Sequence, residues 1–322
     1  MTLVLRDGDV RAAVAELAGA VDAVAEGVRE AGRAKGDARR VNVTVPGGWL
    51  RLMGGALPES DLIGFKAFHL TDGVRYLCGV YRLSTGEPLA LVDANELTVI
   101  RTAAAAAAAA RRFFGTAGIA VGVFGAGTFA RASLRALAAA CTVESVRVFS
   151  PRAESRASFA EELAAELGRP VEGVPTPQEV SEGADMLLCC TATGGEVAVE
   201  RAFLGEAGYV SSIGSTMPNQ RELGAAAVGA AELVIVDSSQ ALDESGDLIA
   251  AAQAGLLTGS IVPLAEFLET GVLPGPKPTL TLYASVGSFE QDLALAAFVL
   301  RTCERQGLGE RITAVESVRP LR

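Results

Sequence analysis

The chain predicts an α/β protein in two parts: a doubly wound parallel-sheet domain, preceded by a smaller α+β domain. Three observations predict it. Beyond Gly118, short apolar runs alternate with helix-like segments; before Gly115, strand-like runs follow one another directly; and the first strand of the alternating half meets Gly125-Ala-Gly127, with Ala130 three residues on. Alternation implies a parallel sheet covered by helices, whereas strands in succession imply an antiparallel one.

The elements follow in order. Val10, Val14, Leu17, Val21, Val24 and Val28 recur in steps of three and four, so one amphipathic helix is expected from Asp9 to Arg33. Val41 to Val45, Leu50 to Met53, Leu62 to Leu70, Arg75 to Leu83 and Leu89 to Val92 read as strands, with turns at Pro46-Gly-Gly48 and Gly86-Glu-Pro88. Asp93-Ala-Asn-Glu96 has the form of a capping box and should open a helix running through Ala103 to Ala110 as far as Phe114. After a junction at Gly115 to Gly118, strands are expected at Ile119 to Phe124, Ser145 to Phe149, Met186 to Thr191, Tyr209 to Ile213 and Leu233 to Val236. Helices are expected at Thr128 to Ala140, Ala153 to Leu167 and Leu248 to Ala254. A second capping box, Ser288-Phe-Glu-Gln291, starts a helix that should stop near Gly307 and pack Leu293, Ala297 and Leu300 back on the first domain. The expected domains are therefore residues 1–115 completed by 288–322, and 116–287.

Composition narrows the function classes. The 322 residues are 50% hydrophobic, yet no apolar run approaches membrane length. The start, Leu3 to Leu5 followed by Asp7-Gly-Asp9, lacks the order of a signal peptide. A net charge of −10 without a Lys/Arg stripe argues against nucleic acid or an anionic membrane as partner. The five cysteines show no C-x-x-C spacing and read as reduced core thiols of a cytoplasmic protein.

The glycine turn carries the sharpest chemistry. In a strand–turn–helix setting, G-x-G-x-x-A lets the backbone approach a pyrophosphate that rests on the unpaired N–H groups of the helix start, so a dinucleotide is the expected ligand. A single histidine, His69, set among apolar strand neighbours, leaves metal sites and Ser–His nucleophiles without parts. Hydride chemistry remains, in which a cofactor supplies the reactive atom. Arg101, just before eight alanines, must be buried with an accepting partner; an internal salt bridge with Glu96 or Asp93 and a clamp on a substrate carboxylate are both open. Alternation places Lys66 on one strand face with Gly64, Phe68 and Leu70, as an edge-strand guard or as a desolvated proton-exchanging lysine. The second parallel strand ends in Phe149-Ser-Pro-Arg152 where an NAD-preferring site has an acid. Ser150 reads as N-cap, Pro151 as first helical residue and Arg152 as a first-turn cation that a 2′-phosphate would satisfy, favouring NADPH over NADH.

With these residues in this order, the chain resembles the ornithine cyclodeaminase/μ-crystallin family over almost its whole length. The markers are Gly64-Phe-Lys66, Leu97-Thr-Val-Ile-Arg101-Thr102-Ala, Gly125-Ala-Gly127, Gly183-Ala-Asp185, Thr191-Ala-Thr193, Gly214-Ser-Thr-Met-Pro218 with Glu222-Leu, Val236-Asp-Ser238 and Ser285-Val-Gly287. The resemblance implies a Rossmann domain and a homodimer built through the N-terminal halves, with a cleft where a carboxylate-bearing amine or imine meets the nicotinamide. It implies Arg101 and Arg40 as carboxylate ligands and Lys66 as the active-site lysine. For the cofactor it implies Gly125, Ala126, Gly127, Thr128 and Phe129 at the pyrophosphate, Ser150 and Arg152 at the adenosine ribose, and Ser285 and Gly287 near the nicotinamide. Thr102, Thr191, Ala192, Thr193 and Ile213 complete that set, and no metal is implied. One departure matters: cyclodeaminases carry an aspartate where this chain has Thr216, and a threonine supplies no carboxylate. The expected activity is thus NAD(P)H-dependent reduction of an imine, or an amino-acid dehydrogenase reaction, with Thr216 orienting a water or the substrate nitrogen. Ornithine cyclodeamination and catalytically silent nucleotide binding are the alternatives.

Overall fold

The computed structural model describes residues 1–35, 38–71, 73–271 and 278–313. It forms two compact units, Met1–Arg101 with Ser288–Arg322, and Thr102–Gly287. The division falls inside a helix rather than at the expected Gly115 to Gly118 junction, because that helix runs unbroken over Asn95–Phe114. Residues 314–322 of the expected C-terminal segment lie outside the described residues.

The first unit is built on one sheet. Numbered along the chain, its strands are β1 (Thr2–Leu5), β2 (Arg39–Val45), β3 (Gly48–Leu57), β4 (Leu62–Thr71), β5 (Gly73–Arg82), β6 (Pro88–Asp93) and β15 (Glu310–Ile312). They lie in the order β15-β1-β6-β5-β4-β3-β2, antiparallel throughout except for the parallel pair β1 and β6. The helices are α1 (Asp7–Ala13), α2 (Leu17–Ala34), the start of α3 (Asn95–Phe114) and α11 (Phe289–Gln306).

Two glycines let α11 lie close to this sheet. A Cβ on Gly64 would stand 3.3 Å from Phe289 and Leu293, and one on Gly55 would stand 3.3 Å from Phe289. Gly27 of α2 brings that helix against α11, since a Cβ there would come within 2.3 Å of the Ala294 methyl. Phe289, Asp292 and Leu293, three and four residues apart, therefore share the sheet-facing side of α11. The opposite sheet face is bare and apolar. Val41, Val43 and Val45 of β2, Leu52 of β3, Ile63 of β4 and Leu77 of β5 are all exposed, Val41 at 55%.

Several local expectations are corrected. The single helix from Asp9 to Arg33 is two, α1 and α2, because the chain turns at Val14 and is extended at Glu16 (φ −103°, ψ 97°). Val10, Val14, Val21, Val24 and Val28 are nonetheless all buried, so the break preserves the phase of the stripe and periodicity cannot reveal it. The Asp93 capping box does not open α3; the cap comes from Asp7, whose Oδ1 accepts from the Glu96 N–H at 3.0 Å. Ser288 is the N-cap of α11, but its side chain makes no capping bond, and Gln291 is turned to Arg101 rather than back to Ser288. Gly307 ends that helix in the left-handed conformation (φ 68°), as its lack of a Cβ allows.

The second unit is an eight-stranded parallel sheet. Its strands are β7 (Gly118–Phe124), β8 (Thr142–Phe149), β9 (Val171–Gly173), β10 (Met186–Cys189), β11 (Tyr209–Ser212), β12 (Leu233–Val236), β13 (Ser260–Pro263) and β14 (Thr281–Ala284), in the order β13-β12-β14-β11-β10-β7-β8-β9. Every residue of β10, β11, β12 and β14 is buried, as in a sheet covered on both faces. Helices α4 (Thr128–Ala140), α5 (Ala153–Leu167), α6 (Pro177–Val180), α7 (Ala225–Val228), α8 (Ala241–Glu244), α9 (Gly246–Gln253) and α10 (Leu264–Thr270) fall between the strands. The chain leaves β7 for β8 and β9, then returns to β10 on the other side of β7. That reversal opens a crevice at the carboxyl ends of β7 and β10, where ligands of such sheets bind. Among the described residues, no helix is long and apolar enough to cross a membrane.

Gly64→Ala tests the packing beneath α11. Its Cβ would stand 2.4 Å from the carbonyl oxygen of Gly79, a backbone atom that cannot step aside. We expect a loss of about 1–3 kcal/mol, read as a lowered denaturant midpoint with an unchanged slope.

Candidate active site

The sheet of the first unit brings its buried charges together. Lys66 sits on β4, flanked by β3 and β5, so the edge-strand role is excluded. Its side chain is 1% exposed. Its Nζ donates to Thr98 Oγ1 on α3 and to Asp292 Oδ1 on α11, both at 2.8 Å. The same Oδ1 accepts from Arg101 Nε at 3.1 Å, and Arg101 Nη1 donates to Gln291 Oε1 at 2.8 Å. Arg101 therefore pairs with Asp292, not with the expected Glu96 or Asp93; Glu96 is taken by Arg11. The reason is position: Glu96 lies in the first turn of α3, over a turn away from Arg101, while α11 passes directly alongside.

Asp292 Oδ2 is buried and without a hydrogen-bond partner among the described residues. Burial, and next the Arg101 charge, pull the Lys66 ammonium down to about 8, against the pull of Asp292 that favours its charge. Lys66 is thus a lysine able to exchange a proton near neutrality. Two aromatic rings complete its surroundings, with Nζ 5.0 Å from the Tyr76 centroid and 5.5 Å from that of Phe68. The Cys78 thiol beside it is pushed up to about 12 by burial and stays neutral.

Register extends this face. Arg40, Met53, Lys66, Cys78 and Val92 lie opposite one another on successive strands, so Arg40 points to the same side as Lys66, two strands or about 10 Å away. The next row on that face holds Asn42, Arg51, Phe68 and Tyr76. Arg51 is buried, donates from Nε to Asn42 Oδ1 at 2.8 Å, and lies over the Trp49 and Phe68 rings at 5.7 and 5.9 Å. His69 lies on the other face, between Leu50 and Arg75.

In the second unit the expected cofactor residues stand mainly at strand ends. Gly125 follows β7 at φ +101°, and a Cβ there would come 2.5 Å from the Cys190 carbonyl oxygen, so only glycine fits this turn. Gly127 is the N-cap of α4 without a side-chain cap, and a Cβ on it would meet nothing within 4 Å. The exposed Gly127, Thr128 and Phe129 thus present open space over uncapped N–H groups, while Ala130 is fully buried beneath. These features fit a pyrophosphate. Ser150 and Arg152 follow β8, Thr191, Ala192 and Thr193 follow β10, Ile213 and Thr216 follow β11, and Ser285 and Gly287 follow β14; Thr102 lies on α3 and is buried.

One correction concerns α5. It starts at Ala153 with exposed Arg152 as N-cap, not Ser150, and Arg152 lies ahead of the first turn rather than in it. Arg156 Nη1 holds the carbonyls of Ser150 and Pro151 (2.8 and 3.4 Å), which keeps the lead-in extended.

Two carboxylates tie these loops together. Buried Glu222 accepts from the Thr191 N–H and hydroxyl, from Ser212 Oγ (2.7 Å) and from the Gly214 N–H (2.9 Å), joining the ends of β10 and β11. Burial raises its carboxyl, and these four donors counter the rise. Asp237, after β12, accepts from Ser285 Oγ (2.6 Å) and from the Val286 and Gly287 N–H groups (3.0 Å each), fixing the end of β14. Thr216 donates through its N–H and Oγ1 to Gln220 Oε1 at 3.0 and 2.9 Å.

Sequence reasoning missed Asp292, Gln291, Thr98 and Arg51. A signal for Asp292 was present, since it is an acid directly before the apolar run Leu293 to Leu300, the counterpart of Arg101 before its alanines.

The model of the ornithine cyclodeaminase/mu-crystallin family matches residues 9–306. The chain is 28% identical over 266 residues to Delta(1)-pyrroline-2-carboxylate reductase of Bacillus cereus, covering 80% of this chain and 78% of that one. It is 28% identical over 225 residues to the ketimine reductase mu-crystallin of Mus musculus, covering 67% and 66%. Among solved structures, Thermococcus litoralis Delta(1)-pyrroline-2-carboxylate reductase in complex with NADH and L-proline superposes with a TM-score of 0.88 at 25% identity, over 97% of this chain and 100% of that one.

Glu222→Gln should loosen the second unit. The amide retains one acceptor oxygen and turns an N–H₂ toward groups that donate. We expect about 1–3 kcal/mol lost at pH 7, measured as a lower melting midpoint.

Proposed function

Because the chain belongs to the ornithine cyclodeaminase/mu-crystallin family, we propose that it is an NAD(P)H-dependent reductase of a carboxylate-bearing imine, of the ketimine or N-substituted amino-acid class. One observation carries the substrate class. Lys66 and Arg101, two buried cations, share the single carboxylate of Asp292, which leaves a surplus positive charge in an apolar setting. A monoanionic ligand such as a 2-imino acid neutralises it. The imine reductases among its relatives support the same reading.

In this reading Arg40 and Arg101 hold the substrate carboxylate, with Arg51 a further cation of that face. The reduced nicotinamide supplies hydride to the 2-carbon. Lys66 gives its proton to the substrate nitrogen, and Thr216 orients that nitrogen or a water. Gly125, Ala126, Gly127, Thr128 and Phe129 hold the pyrophosphate, and Ser285, Gly287, Ile213, Thr102 and the Thr191–Thr193 loop border the rest of the cofactor. Ser150 and Arg152 meet the adenosine ribose, and the exposed Arg152, in no ion pair among the described residues, favours the 2′-phosphate of NADPH. A second copy covers the bare valine face, making a homodimer, because monomers rarely leave so wide an apolar sheet face to water. Free cysteines throughout fit a cytoplasmic setting.

The decisive assay mixes purified protein with NADPH or NADH and a panel of cyclic ketimines, or pyruvate with amines, following loss of reduced nicotinamide. Oxidation with at least one member is expected; none with any overturns the reading. Lys66→Met should lower kcat/KM about 10²–10⁴-fold, the usual worth of a positioned proton donor. Since the donor is the charged form, kcat/KM should fall as pH rises through about 8. Arg152→Ala should weaken NADPH at least about tenfold while leaving NADH unchanged, by direct titration of nucleotide fluorescence.

A further inference from the structure

We propose that Asp292 is the positioning residue of this site, the group that keeps Lys66 charged and in place until the substrate nitrogen takes its proton. The inference rests on the reductase reading above. Its geometry is particular. One oxygen of a fully buried carboxylate is shared by two cations, Lys66 Nζ at 2.8 Å and Arg101 Nε at 3.1 Å, while the other has no partner among the described residues. A structural ion pair usually has both oxygens satisfied, because a bare buried oxygen costs free energy. Here the second oxygen is spare. When Lys66 surrenders a proton, its neutral amine still donates to Oδ1, and Arg101 still balances the carboxylate, so the site loses one charge without stranding another.

Asp292 is the carboxylate bonded to the proton donor. The other groups facing Lys66 do not replace it. Thr98 is a neutral acceptor, Tyr76 and Phe68 present rings, and Cys78 is a neutral thiol. Arg101 is a cation that disfavours a second charge, while Arg51, one strand away, and Arg40, two strands away, add no opposite charge. Without Asp292, burial and the Arg101 charge would pull the ammonium further down.

The test uses the whole chain and the small number of its lysines, Lys35, Lys66 and Lys277. Lysine labelled with ¹³C at Cε gives three signals, and Lys66→Met assigns the one that matters. In the wild type we expect the Lys66 signal to titrate near 8. In Asp292→Asn we expect its midpoint to fall by at least about one pH unit, as loss of an adjacent opposite charge dictates, with Asp292→Glu restoring it. The kcat/KM break should move by the same amount, with undisturbed nucleotide binding as the control for folding. An unchanged Lys66 midpoint in Asp292→Asn overturns the proposal. If that variant does not fold, the wild-type Asp292 ¹³Cγ signal decides: it must shift through the Lys66 midpoint, and silence there overturns the proposal equally. Absence of turnover with every imine, beside a shifted midpoint, would instead sink the reductase reading and leave the Asp292–Lys66 coupling standing.

Discussion

A single carboxylate oxygen held between two buried cations is the interaction on which the first unit is organised. Taking an ammonium and a guanidinium out of water costs several kcal/mol each, and Asp292 is the one carboxylate that bonds to both, with Thr98 and Gln291 as neutral acceptors. The backbone makes this possible. Glycines 55 and 64 on the sheet and Gly27 on α2 let α11 settle low enough for Asp292 to reach Lys66 and Arg101 together. Removing Asp292 would leave two uncompensated buried cations, a loss of about 3–5 kcal/mol or more, so the site and the packing of α11 depend on the same side chain.

The second unit solves a different problem by similar means. Parallel strands deliver their loops to one edge, where nothing in the sheet itself fixes them. Glu222 and Asp237 do so from within, each gathering backbone N–H groups and hydroxyls from loops that are distant in sequence. Neither side chain needs to touch a ligand to matter. Loops pinned in this way hold their donors in place before a nucleotide arrives, which lowers the ordering cost of binding.

Much of this was legible in the residues. The alternation beyond Gly118 and the closely spaced strands before it marked two kinds of sheet, and the bounds of α4, α5 and β12 could be read directly. Strand alternation and the alanine run singled out Lys66 and Arg101, and the family resemblance implied their roles. What stayed hidden depended on partners far along the chain. Asp292 is 226 residues from Lys66, and Asp7 caps α3 from 89 residues away, displacing a local box that looked complete. Caps failed at Asp93 and Ser288 for the same reason: the residues that should have closed them, or the ends they should have closed, were claimed by tertiary contacts. The break at Glu16 was hidden because it keeps the buried stripe in phase.

The alanine run of α3 closes the physical picture. Ala103 to Ala110 are all at most 2% exposed, on every side of the helix. Such a stretch reads as low-complexity filler, yet it has no solvent-facing position at which drift is harmless. Alanine surrenders no side-chain freedom on burial, so the rod that carries Arg101 orders cheaply. Compositional monotony here marks tight steric constraint, and variation among related chains should thin out along these eight positions while surface helices diverge.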